Sequence, residues 1–289
     1  MRWLRHRFWR AGKSRAILLT ITAISVFGAV LVIPVDGGAA GLADRIVHRI
    51  GLAKAPQSAT AATAAQNAHS FGGVATVGAL FLMNSGRLGQ HFCTASVVDS
   101  PNGDLAVTAA HCVSGVDSGS GSAGKLVFIP GYDNGAEPDG VWTVTRVYTN
   151  AAWRADQNPD DDVAFLKISD AADGVPIEDV TGANQLSTSS TTHALVRVIG
   201  YPDGAAKPIT CTNVADSFSP TQLQFDCGDY TDGTSGSPFL ADVSSASGEG
   251  TVIGVIGGYE QGGDTPSVSY SVVFGRAVAS LYQTAVAGG

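Results

Sequence analysis

Three short segments of the sequence carry the residue types needed for acyl transfer by a serine nucleophile. His111 ends the segment LAVTAAH, Asp162 immediately precedes the apolar run VAFLKI, and Ser235 lies in the glycine-rich segment DGTSGSPFL. A histidine can take the proton of a serine hydroxyl, and a buried carboxylate can fix the tautomer of that histidine and stabilise its protonated form. The three segments therefore predict a general base, an orienting acid and a nucleophile.

Each segment taken alone has an ordinary structural explanation. An isolated histidine is more often a structural side chain, an aspartate before a strand often caps a turn, and TSGSP on its own is a common glycine and serine turn. The other histidines, at positions 6, 48, 69, 91 and 193, lack comparable surroundings. Because the three segments occur together in one chain, we interpret them as parts of one site.

The glycines around the predicted nucleophile favour a sharp turn and a close approach of substrate. In such a turn the backbone N–H groups of Gly233 and Ser235 can point into one concavity and form an oxyanion hole. A disulfide from Cys112 to Cys93 would hold His111 in a fixed pose, which a general base requires.

The motifs TAAHC, DVAFL and GTSGSP, in this order, resemble those of chymotrypsin-like serine proteases. The resemblance covers residues 71–289 and implies two six-stranded antiparallel β-barrels, with His111 and Asp162 in the first and Ser235 in the second. It implies hydrolysis of peptide bonds through an acyl-enzyme on Ser235. This chemistry needs no cofactor and no metal.

Two residues depart from the pattern of many family members. Thr234 stands where an aspartate often precedes the nucleophile and pairs with a newly freed N-terminal amine. Activation by that ion pair is therefore excluded. Ser237 replaces the glycine usual in animal relatives, a form familiar among bacterial members, and should leave the chemistry unchanged.

The resemblance also suggests a substrate preference. In relatives that cleave after Arg or Lys, an aspartate at the base of the specificity pocket lies six residues before the nucleophile, which is Asp229 here. Such a buried carboxylate rejects uncharged side chains because they leave its charge unpaired. Cys227 does not match the cysteine that frames this pocket in those relatives, so Asp226, Asp232 and a surface role for Asp229 stay open.

A glutamyl-specific protease is the alternative preference. Members of that kind use a histidine beside the strand that pairs with substrate, and Ile256 occupies this position here. In both cases the backbone of Gly257, Gly258 and Tyr259 is expected to pair with an extended peptide. A catalytically silent binding module on the same fold, or an esterase using the same residues, are the competing functions.

The surrounding sequence predicts an all-β protein. Only 15% of the residues are charged, 36 are glycine, and about eleven short apolar or alternating runs are separated by turn signals. Apolar residues recur at helical spacing only in the C-terminal stretch 276–286, where we predict one helix. A polar stretch around 170–192 divides the strands, so we place one barrel at 71–185 and the other, with the helix, at 186–289.

The N-terminal seventy residues resemble an export leader rather than part of a barrel. Basic residues crowd the first fifteen positions, and an apolar run follows at 16–34. We predict a signal peptide or signal anchor at 1–40 and a pro-segment or linker at 41–70. The protein is then secreted, or anchored to a membrane if the leader is not cleaved.

The four cysteines, Cys93, Cys112, Cys211 and Cys227, read as two disulfides in an exported chain. We favour sequential pairing because each bridge then closes a short loop. Their spacing does not fit a structural zinc site.

Residues 71–289 contain 8 basic and 23 acidic residues, a formal charge of −15. This charge excludes nucleic acid as a partner and leaves solubility or a basic substrate as explanations. The acidic loop 133–139 lacks a regular calcium-ligand pattern. We expect a monomer whose only partner is its polypeptide substrate.

Overall fold

The first set of strands forms a closed antiparallel barrel in this computed structural model, which describes residues 66–115, 124–169 and 174–288. A short strand outside this barrel, β1 (His69–Ser70), comes first in the chain. The elements of the first set are β2 (Val77–Asn84), β3 (Arg87–Val98), β4 (Leu105–Thr108), β5 (Lys125–Pro130), β6 (Trp142–Thr149), α1 (Ala151–Asp156) and β7 (Ala164–Ile168). The barrel closes in the order β2-β3-β4-β7-β6-β5, because β2 pairs with both β3 and β5.

The second set follows a short helix, α2 (Ile177–Thr181). Its elements are β8 (Gln185–Leu186), β9 (His193–Gly200), β10 (Ile209–Ser217), β11 (Gln222–Asp226), β12 (Pro238–Ala241), β13 (Thr251–Val255), β14 (Val268–Val272) and the C-terminal helix α3 (Arg276–Ala287). Six of these strands run antiparallel in the order β14-β11-β10-β9-β12-β13, while β8 adds in parallel to β13. The two end strands meet where the Val255 N–H donates to Ser271 Oγ at 2.9 Å.

Successive side chains along the strands of the first barrel point alternately into the barrel and out of it, and both sides are buried. In the first barrel Leu80, Phe128 and Leu166 fill the interior, while their strand neighbours Ile129 and Phe165 face outward into a second cluster. That outer cluster also includes residues of β12, β13 and α3, so it is the apolar interface between the barrels. A strand that is buried on both faces has a nearly continuous run of apolar residues in its sequence, and several strands of this barrel show such runs.

The predicted fold class is confirmed: strands predominate among the regular elements of the described residues, in one closed six-stranded barrel and one curled, half-barrel sheet, with one C-terminal helix. The expected sequential disulfides are also present, joining Cys93 to Cys112 and Cys211 to Cys227. Within residues 66–288 as described, no helix is long and apolar enough to cross a bilayer.

The segment just before position 71 belongs to the second set of strands. β1 pairs with β10, and Gly228 exchanges backbone hydrogen bonds with Gln66 and Ala68 at 2.7 and 3.1 Å. The predicted leader, 1–40, and the predicted pro-segment up to residue 65 lie outside the described residues.

Candidate active site

Strand ends in the first barrel bring His111 and Asp162 together. β4 and β7 are paired, with Thr108 opposite Ala164, so the residues after β4 and before β7 meet at one edge. His111 begins a short 3₁₀ turn after β4, and the disulfide of Cys112 ties this turn to β3. This is the local order expected from the segments LAVTAAHCV and DVAFL.

Asp162 is completely buried and accepts three hydrogen bonds. Its Oδ1 accepts from the His111 backbone N–H at 2.8 Å, and its Oδ2 lies 2.7 Å from His111 Nδ1. Oδ2 also accepts from the Gly258 N–H at 2.9 Å. This geometry suits the neutral imidazole with its proton on Nδ1, which donates to Asp162 and leaves the Nε2 lone pair free, the form that a general base needs.

Ser235 lines the same cavity as His111, in the loop before β12. Thr94, on β3 of the first barrel, holds this loop from the other side. Its N–H donates to the Ser235 carbonyl at 2.8 Å, and its Oγ1 donates to the Gly233 carbonyl at 3.1 Å. Oγ1 also accepts from the Tyr201 N–H at 3.0 Å, so one threonine fixes the nucleophile loop and the neighbouring loop together.

No hydrogen bond joins Ser235 Oγ to His111 Nε2 among the described residues. His111 Nε2 lies 3.9 Å from Cys112 Sγ. Catalytic hydrogen bonds are often long without substrate and tighten when it binds.

The backbone N–H groups of Gly233 and Ser235 donate to no other described residue, and both residues line the cavity. The direction of the Gly233 N–H is set by the peptide bond between Asp232 and Gly233. The Asp203 N–H donates to the Asp232 carbonyl at 2.6 Å, and the N–H of Gly233 points the opposite way because it shares that peptide plane. Gly233 adopts φ 88°, which favours glycine.

The cavity has a volume of about 860 Å³ and is acidic. Its described lining includes no Lys or Arg, and it carries four exposed carboxylates, on Asp203, Asp232, Glu260 and Asp264. Cys93 and Cys112 also lie close to His111, but their sulfurs form a disulfide and so cannot bind a metal as thiolates.

Asp229 does not lie at the base of this cavity, contrary to the expectation from its spacing. It is exposed, has φ 75° and is absent from the cavity lining. The cause is its neighbour Tyr230, whose buried ring packs in the second barrel and whose hydroxyl donates to the Val198 carbonyl at 2.9 Å. Burial raises the pKa of Tyr230, so this phenol stays a neutral donor. Asp226 is also exposed outside the cavity, whereas Asp232 lines it.

The N–H groups of Gly257, Gly258 and Tyr259 are not open to a substrate, contrary to expectation. They donate to the Tyr270 carbonyl at 3.0 Å, to Asp162 Oδ2 at 2.9 Å and to Gln222 Oε1 at 3.1 Å. Only the Gly257 carbonyl accepts no hydrogen bond from the described residues. In this conformation, an extended peptide could therefore hydrogen-bond to this segment only by donating to the Gly257 carbonyl.

Sequence reasoning missed two residues of the site. Thr94 directly follows the bridged Cys93, and that adjacency was the one signal that could have found it. Gln222 is a single glutamine at the start of a strand, and nothing in its local sequence indicates its contacts.

Comparison with known proteins places these observations in a family. The sequence family described as trypsin-like peptidase domain matches residues 93–255. Anisep, a protease from Arthrobacter nicotinovorans, is 27% identical, with a TM-score of 0.62 over 76% of this chain and 99% of its own. No curated protein sequence matches the chain.

Two further solved structures share the fold. The thermostable serine protease AL20 from an extremophilic microorganism is 24% identical, with a TM-score of 0.62 over 74% of this chain and 98% of its own. A Glu endopeptidase is 16% identical, with a TM-score of 0.58 over 77% of this chain and 97% of its own.

Proposed function

We propose catalytic roles and a substrate class for this chain, which belongs to the family of trypsin-like peptidase domains and is a serine endopeptidase. Ser235 is the nucleophile, His111 the general base and then acid, and Asp162 the orienting carboxylate. The observation that carries the proposal is the fully buried Asp162 on His111 Nδ1, with Ser235 lining the same cavity.

The proposed reaction proceeds through an acyl-enzyme. His111 Nε2 takes the proton of Ser235 Oγ as this oxygen bonds to the peptide carbonyl carbon, and the resulting oxyanion accepts from the N–H groups of Gly233 and Ser235. His111 then gives its proton to the departing amine as the C–N bond breaks. Water, activated by the same histidine, releases the acyl group. Asp162 stays ionised and stabilises the imidazolium in both halves.

We propose that the enzyme prefers substrates with Arg or Lys beside the cleaved bond. The support is the set of four carboxylates that line the cavity, on Asp203, Asp232, Glu260 and Asp264, and not Asp229. Because these groups are exposed, the preference should be graded and weakened by salt. A glutamyl preference is disfavoured because a substrate carboxylate would be repelled and Ile256 lines the cavity without donating to it.

Two experiments test this function. Labelling by a fluorophosphonate should modify the wild type but not Ser235→Ala, and an unlabelled wild type would mean a silent module. A peptide library read by mass spectrometry, at low and high salt, should show enrichment of Arg and Lys that declines with salt. Cleavage of small esters with no peptide cleavage would indicate an esterase, and enrichment of Glu would overturn the proposed preference.

We also propose that the chain is exported and matured before Gln66. The two disulfides support an oxidising location. Cleavage at 71 would remove β1 and the hydrogen bonds of Gln66 and Ala68 to Gly228. N-terminal sequencing of the protein from the culture medium should therefore find a start at or before residue 66, and a start at 71 would contradict this.

A further inference from the structure

Gln222 is a buried glutamine that links two segments of the active site. It lies at the start of β11, and only 4% of its surface is exposed. Its Oε1 accepts from the Tyr259 N–H at 3.1 Å. Its Nε2 donates to the Pro159 carbonyl at 3.2 Å and to Asp160 Oδ1 at 2.8 Å. Both ends of the amide are thus used, and each end holds a different loop.

The first of these loops leads into the predicted catalytic acid. Pro159–Asp161 forms a 3₁₀ turn directly before Asp162. The bonds from Gln222 Nε2 therefore restrain the turn that sets the position of the Asp162 backbone.

The second loop is the wall of the cavity. Tyr259–Gly262 forms an irregular turn in which Glu260 and Gln261 adopt φ 51° and 52°, a left-handed conformation that non-glycine residues rarely take. Such backbone persists only where its surroundings hold it. The Tyr259 ring is held by Phe218 and Tyr270, with centroids 5.2 and 5.1 Å away.

Gln222 also explains the glycine before this turn. Gly258 adopts φ 86°, and a Cβ there would overlap Gln222 Oε1. The Gly258 backbone therefore lies directly against the glutamine side chain, and its N–H reaches Asp162 Oδ2. A shift of the turn would weaken the hydrogen bond from the Gly258 N–H to Asp162. The other two hydrogen bonds of Asp162 come from His111 and would remain.

We propose that Gln222 is a positioning residue that holds the turn 259–262 against the 159–162 loop, so that the cavity wall is formed before an extended peptide binds. The inference rests on the proposed peptidase function, since the cavity is then the substrate site. Gln222 itself does not line the cavity. Its loss should raise KM for substrates that reach along this wall, while His111 keeps Asp162 in place for short substrates.

The kinetic test compares Gln222→Ala with Gln224→Ala, a control two residues along the same strand. Among the described residues, the Gln224 side-chain amide hydrogen-bonds only to Asp226. KM and kcat are measured per titrated active site on a tetrapeptide amide and on a single-residue ester. Removing Gln222 should raise KM for the tetrapeptide about tenfold, and change ester hydrolysis less than about twofold. Equal effects on both substrates, or no effect on either, would overturn the proposal.

A second variant guards against simple misfolding. Gln222→Glu keeps an acceptor for the Tyr259 N–H but sets a carboxylate against Asp160, so KM for the tetrapeptide should rise. Combining it with Asp160→Asn restores the hydrogen bond to position 160 with reversed polarity but not the one to the Pro159 carbonyl, so KM should fall at least about threefold from its value in Gln222→Glu. A double variant as impaired as Gln222→Glu alone would refute the coupling.

Hydrogen exchange separates this inference from the proposed function. Peptides covering 256–262 should exchange faster in Gln222→Ala than in wild type or Gln224→Ala, whether or not the protein cleaves peptides. Unchanged exchange would overturn the positioning role, and an inactive wild type with faster exchange in the variant would overturn only the peptidase proposal.

Discussion

Replacing Gly233 with alanine tests the assignment of the oxyanion donors through the backbone alone. An alanine Cβ at this position would lie 2.5 Å from the Asp203 nitrogen and 2.6 Å from the Tyr201 carbonyl oxygen. Asp203 N–H is the group that holds the Asp232 carbonyl, and so orients the Gly233 N–H. The substitution therefore disturbs the proposed donor without changing a catalytic side chain.

Gly204 provides the matched control. It lies in the neighbouring loop with φ 69°, and an added Cβ there would meet nothing within 4 Å. Gly204→Ala should lower the free energy of unfolding by only about 1 to 2 kcal/mol, the cost of a left-handed backbone for a residue with a Cβ. Gly233→Ala adds overpacking against two backbone groups, which costs about 1 to 3 kcal/mol more. Loss of one oxyanion donor should in addition lower kcat by about 10² to 10³.

Urea denaturation gives the free energy of unfolding of each variant. The kcat of each is then measured well below the temperature at which either variant begins to unfold. The reasoning predicts a large loss of kcat in Gly233→Ala and a nearly normal kcat in Gly204→Ala. If folded Gly233→Ala keeps a kcat close to that of Gly204→Ala, its N–H is not an oxyanion donor.

Three further outcomes follow from the described contacts. Asp162→Asn should lower kcat about 10⁴-fold with the fold retained, measured on an ester substrate, because an amide NH₂ facing Nδ1 holds His111 in the wrong tautomer; a loss below about tenfold would contradict this. Replacing Cys93 and Cys112 with alanine should cost about 3 kcal/mol in urea denaturation, since the bridge spans 19 residues; an unchanged midpoint would argue against it. Burial raises the pKa of Tyr201 and Tyr230, so they stay neutral in the folded protein where the unfolded chain ionises. The free energy of unfolding should then fall as pH rises above about 10, and a constant urea midpoint up to about pH 11 would exclude this.

The fold and the identity of the site segments were predictable because their signals are local. A histidine beside a cysteine, an aspartate before an apolar strand and a serine in a glycine-rich turn can each be recognised within a few consecutive residues. The C-terminal helix was equally predictable from apolar spacing, since Val278, Leu281 and Ala285 form its buried face.

The positions of Asp229 and Tyr259 relative to the cavity were not predictable because they depend on contacts between residues distant in sequence. Counting six residues back from Ser235 selects Asp229, but the burial of the Tyr230 ring turns Asp229 outward. The use of the Tyr259 N–H depends on Gln222, which is 37 residues away. The spacing of residues along the chain carries no information about such partners.

The position of Thr94 makes the shape of the proposed nucleophile loop depend on contact between the two barrels. It belongs to the first barrel, yet it holds the carbonyls of Gly233 and Ser235 in the second. Under the proposed roles, neither barrel alone contains a complete catalytic centre, and the nucleophile loop reaches its final shape only when the barrels dock. A chain in which the two barrels have not yet docked therefore lacks the contacts of Thr94 that hold the proposed nucleophile loop.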